Sequence, residues 1–98
     1  MIQCLLIGSI LSDGMESELA HYVDIPWVPR AGDSIVTADG LSLVIESVEL
    51  NLKTNATTIY LRGIEEPTDD RHSKVASRLR DDGWEVETNV FGAVEGEG

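Results

Sequence analysis

The sequence predicts a mostly β, α+β domain: a small, strongly bent antiparallel sheet or barrel of five to seven strands, with one helix near residues 69–82. Three observations carry this expectation. Six short apolar runs are separated by turn residues at close spacing. One later segment repeats its apolar residues at helical rather than strand spacing. The aromatic residues are only Tyr22, Trp27, Tyr60, Trp84 and Phe91, so aliphatic side chains must fill the core, and their β-branched members favour strands.

Ile2 to Leu11 reads as the first strand, apolar on both alternating faces, so both faces need cover from the chain or from a second subunit. Ser12-Asp13-Gly14 is a turn, and Glu18 to Ile25 a second strand with Leu19, His21, Val23 and Ile25 on one face. Pro26 and Pro29 lack the N–H of a central strand and mark a loop. Ser34 to Ala38 is a short strand, and Asp39-Gly40 a hairpin signal. In Leu41 to Leu52 the apolar set moves from odd positions (Leu41, Leu43, Ile45) to even ones (Val48, Leu50, Leu52). A strand changes faces only by inserting a residue, which predicts a bulge near Glu46–Ser47, with Glu46 facing outward. Thr57 to Gly63 is the next strand.

Pro67-Thr68-Asp69-Asp70 then has helix-start chemistry. Val75, Ala76 and Leu79 follow on one stripe with His72, and Gly83 is a natural left-handed stop. Trp84 to Glu87 alternates as a last strand, which Val90 and Phe91 extend. Residues 1–91 are expected to form one domain and 92–98, rich in Gly and Glu, a disordered acidic tail.

Pro29-Arg30-Ala31-Gly32-Asp33, a short strand, Asp39-Gly40, the long strand Leu43-Val44-Ile45-Glu46-Ser47-Val48-Glu49 and then Thr58-Ile59-Tyr60-Leu61 form a recognisable series. Residues 29–63 thereby resemble the meander of small five-stranded Src-homology-3-like β-barrels, found in short bacterial and phage proteins of unassigned function. The resemblance implies a barrel fold and no particular activity.

Charge is the loudest feature, −11 at neutral pH. It excludes direct binding to nucleic acid or anionic membranes and favours basic partners. It is also uneven. Residues 1–29 and 81–98 contain acids and no base, whereas residues 70–80 carry Arg71, Lys74, Arg78 and Arg80 against Asp70 alone.

The lone Cys4 forms no intrachain disulfide and reads as a core hydrophobe, which fits a reducing, cytoplasmic setting. Ile2–Leu11 has no basic start and is too short to span a bilayer as a helix.

No cofactor or metal is expected. His21 and His72 lack ligand spacing and read as partly exposed or core-edge residues. Ser9, His21 and Asp24 make a triad only on paper, and no phosphate loop is present, so an enzyme is not expected.

The expectation is a non-enzymatic acidic protein-binding domain that engages a basic, nucleic-acid-binding surface of another protein, in the manner of phage-type inhibitors. Its candidate contact residues are Glu16, Glu18, Asp24, Trp27, Asp81, Asp82, Glu85 and Glu87. The alternative is a structural or assembly subunit, a virion accessory or complex component, that binds through apolar contacts. In either case a homo-oligomer or an obligate partner is expected, with Trp27, Val28 and Phe91 as additional contact candidates.

Overall fold

The computed structural model describes residues 1–91, so the expected acidic tail, 92–98, lies outside the described residues. Seven strands and one helix follow in the order β1 (Ile2–Leu11), β2 (Met15–Ile25), β3 (Ser34–Val36), β4 (Ser42–Asn51), β5 (Ala56–Leu61), β6 (Ile64–Glu65), α1 (Asp69–Asp81) and β7 (Glu85–Val90). The strands form one open sheet in the order β3-β4-β5-β1-β2-β7, with β6 continuing beyond β5 along β1. The fold class is thus mostly β with one helix, and of the two expected forms it is the open sheet.

The sheet is mixed rather than wholly antiparallel. β1 and β2 pair as a hairpin, with Ile7 opposite Ala20 and Ile2 opposite Ile25. The chain then leaves for the far edge and returns through the meander β3-β4-β5. That return brings β5 beside β1 in parallel, Cys4 against Thr57 and Ile7 against Tyr60. β6 is also parallel to β1, and β7 pairs antiparallel with β2. The segment β6-α1-β7 is therefore a crossover between two parallel strands, carried by the helix.

The bulge falls where the change of period puts it. Ile45 pairs with Leu61 and Ser47 with Tyr60, which leaves Glu46 as the extra residue. Insertion of Glu46 keeps Leu43 and Ile45, and then Val48, on the face that packs under the helix.

The helix is built locally. Thr68 Oγ1 accepts from the Arg71 N–H at 3.1 Å, and Asp69 and Asp70 sit at the positive end of the helix dipole. At the other end the Trp84 N–H donates to the Leu79 carbonyl and the Gly83 N–H to that of Arg80. Gly83, at φ +95°, supplies the left-handed residue this double closure requires. The buried stripe His72, Val75, Ala76 and Leu79 then covers one sheet face. Beneath it lie Cys4, Leu6, Ile10, Leu19, Leu43, Ile45, Ile59 and Leu61, all buried. Gly8 sits close among them: a Cβ there would stand 3.3 Å from Leu61 Cβ.

Candidate functional site

The helix packs on one face of the sheet only. Strand alternation puts Leu5, Ile7, Ser9 and Leu11 of the central strand on the other face. There they meet Glu16, Glu18, Ala20, Tyr22 and Asp24 of β2, and Thr58 and Tyr60 of β5. Leu5, Ile7 and Tyr60 are half-buried, while Tyr22 is 66% exposed.

This open face holds a groove of about 810 Å³. Its floor is Ile7, Gly8, Ser9 and Ala20, with Leu19 and Leu61 showing from beneath, and Tyr60 stands at one side. Its rims carry five carboxylates: Glu16, Glu18, Glu85 and Glu87 from β2 and β7, and Glu46 from the bulge on β4. No Lys or Arg lines it. Glu18 and Glu87 occupy directly opposed positions of the β2–β7 ladder, a like-charge juxtaposition that costs stability. The ion pairs of the described residues lie elsewhere: Arg71–Glu66, Lys74–Asp70 and Arg78–Asp39, at 3.6, 3.1 and 2.7 Å.

Four of the sequence-nominated contact residues, Glu16, Glu18, Glu85 and Glu87, thus meet in one groove. The others do not join them. Asp81, the last residue of α1, and Asp82, its C-cap, line a separate hollow with Ala38, Asp39 and Arg78. Asp24 shares the face but pairs with Gln3, eight residues along β2 from Glu16. Trp27 is 72% exposed in the loop beyond β2. Glu46 and Tyr60 were not among the nominated residues. The bulge was the legible signal for Glu46, because the inserted residue is the one released outward.

The serine and histidine side chains form a different cluster, beneath the helix. His72 is fully buried rather than at the core edge, because the N-terminal turn of α1 lies over β1–β2 and presses it onto Ser17. The Ser12 hydroxyl donates to Asp69 Oδ1 at 2.6 Å, and the Gly14 N–H donates to the same oxygen. These two bonds, Ser12 first, hold the Asp69 carboxyl below the ordinary aspartate value. With its proton so committed, Ser12 Oγ accepts from His72 Nδ1–H at 2.9 Å. His72 Nε2 is hydrogen-bonded to Ser17 Oγ at 2.6 Å, and Ser17 Oγ to Thr88 Oγ1 at 2.7 Å. Every member has a partner, and Ser17 and His72 are fully enclosed. This chain bolts the helix to β2 and β7.

The paper triad does not form. Ser9 lies on the open face, whereas His21 lies on the helix face and stacks on Trp84 with ring centroids 4.9 Å apart. Burial first, and then the Asp24 charge, raise the Cys4 thiol above its ordinary value, which disfavours the reactive thiolate. Among the described residues no three His, Cys, Asp or Glu side chains converge to hold a metal ion. Among them also, no helix is long and apolar enough to cross a membrane.

Comparisons with protein-family models, curated proteins and solved structures found no match to this chain.

Proposed function

We propose that this chain is a non-enzymatic protein-binding domain that engages a basic surface of another protein through the open face of its sheet. The observation that carries the reading is the groove itself: five glutamates around a partly apolar floor, with no cation among its lining residues. The Glu18–Glu87 opposition adds to it, since a cation from a partner relieves the repulsion that the isolated fold retains. A nucleic-acid-binding surface is strongly basic, and a row of carboxylates is a chemistry that can occupy it in place of phosphates. A cytoplasmic setting belongs to the proposal and is supported by the single, buried cysteine.

One observation favours the alternative, an assembly subunit that binds through apolar contacts. Met1, Trp27 and Leu52 are exposed by 72% or more and lie at the same end of the sheet.

Salt and one charge reversal separate the two. Binding to a Lys/Arg-rich peptide, measured by calorimetry, is expected to weaken steeply towards about 1 M salt, where the screening length falls to about 3 Å. Glu87→Lys is expected to weaken that binding while raising stability by roughly 0.2–1 kcal/mol, because it turns the opposition with Glu18 into a cross-strand ion pair. Affinity that is flat with salt, or unchanged in Glu87→Lys, leaves the acidity as a solubility device and overturns the proposal.

A further inference from the structure

Resting on that reading, we infer that the occupant of the open face is an amphipathic, basic α-helix of the partner, laid along the strands. Among the described residues the sheet and helix make two layers, with a third place unfilled. β1 is apolar on both faces and parallel to β5, an arrangement ordinarily covered on both sides. One side has α1. The other has Ile7 and Tyr60 half-buried in a groove, with no element of the described residues above them.

The dimensions point to a helix. From Glu18 on β2 across β1 and β5 to Glu46 on β4 is three strand spacings, about 14 Å. An α-helix with its side chains is about 10–12 Å across, so its apolar stripe reaches the floor while its flanks reach both carboxylate rims. From Glu16 to Tyr22 is six residue steps, about 20 Å, the length of roughly 13 helical residues. A helix also satisfies its own backbone. An extended segment laid on this face would bury unpaired N–H and C=O groups against Ile7 and Tyr60.

Charge narrows the occupant further. A second copy brings the same net charge of −11, which opposes stacking of one open face on another. The floor selects Leu-like side chains on one stripe, and the rims select Lys or Arg on either side of it.

The test uses the full chain and two probes of identical composition. One is a peptide of about 14 residues with Leu on a single helical stripe and Lys or Arg on both flanks; the other scrambles that order. We expect the amphipathic peptide to bind at least ten-fold more tightly, to gain helicity by circular dichroism on binding, and to shift the amide signals of Ile7 and Tyr60. Ile7→Thr, which keeps a β-branched residue in the strand, is expected to lose this preference and retain the weaker, salt-sensitive binding common to both probes. Glu18→Gln with Glu46→Gln is expected to weaken both probes.

Equal binding of the two probes, or binding without gain of helicity, overturns the helix and leaves the basic-partner reading standing. Binding of neither probe overturns both. Sedimentation of the free chain supplies the remaining outcome: a dimer that Ile7→Thr dissociates assigns this face to a second copy and overturns the inference.

Discussion

His72 shows how much a single side chain's surroundings determine. Its two nitrogens differ because Ser12 has only one proton, and that proton is held by Asp69. Nδ1 therefore carries a hydrogen, an assignment that ¹⁵N chemical shifts of the imidazole can check. Ser17→Ala removes the partner of Nε2 in a fully enclosed site. We expect a loss of about 1–3 kcal/mol in urea unfolding, the cost of a buried polar group left without a partner. Asp69 acts with a definite sign. Its carboxyl is held below the ordinary value, so its contribution to stability is complete above about pH 3.9 and disappears as pH falls through the lowered value. Asp69→Asn should therefore melt below the unsubstituted chain at neutral pH, and the gap should close in acid. A gap that widened in acid would show that Asp69 is not the proton acceptor described.

Among the elements, β4 is the most informative. Its change of period made the bulge legible from sequence, because no regular strand keeps Leu43, Ile45 and Val48 on one face. Deletion of Glu46 removes the inserted residue and puts Leu43, Ile45 and Val48 at strict alternation, so a regular strand can keep all three on the helix face. We therefore expect the deletion to cost far less in urea unfolding than the roughly 3–6 kcal/mol that exposing the buried Leu43 and Ile45 would, and Glu46→Ala to change stability by less than about 0.5 kcal/mol. A loss of that full size on deletion would mean that Glu46 is not the extra residue and that the apolar set was already in phase with it. The helix was legible for similar reasons, since Thr68, the apolar stripe and Gly83 are local signals. Strand order was not. That β5 lies parallel to β1 follows from where the meander returns, and no local pattern in residues 56–61 encodes it. The same gap explains the candidate site. Glu16, Glu18, Glu85 and Glu87 could be grouped because their segments contain no base. Asp81 and Asp82 joined them only by proximity in sequence, and the reversal at Gly83 separates them in space.

At the scale of the whole molecule, a charge of −11 is spread over a surface with three ion pairs among the described residues, each with at least one largely exposed partner. Exposed pairs contribute about 0–1 kcal/mol each, less than the self-repulsion of so large a net charge. Added salt screens both, so the larger effect decides the sign. We expect the melting temperature to rise as sodium chloride is increased to about 0.15 M and beyond. A melting temperature that fell with salt would show that the ion pairs outweigh the repulsion, and that the carboxylates are better compensated than their positions indicate.

The central position of β1 has a consequence for synthesis. β1 and β2 are made together, but residues 26–55 must follow before β5 begins to emerge and complete the other side of β1. At roughly 5–20 residues per second the ribosome needs about 2–6 s for that interval. Throughout it the nascent hairpin has no helix on one side, no β5 beside it, and apolar side chains on both surfaces. Its charged residues in that stretch are all acidic: Asp13, Glu16, Glu18 and Asp24. Two such hairpins on neighbouring ribosomes repel one another before either has a finished fold, so Glu16 and Glu18, two of the glutamates that rim the groove, also protect the growing chain from its own copies.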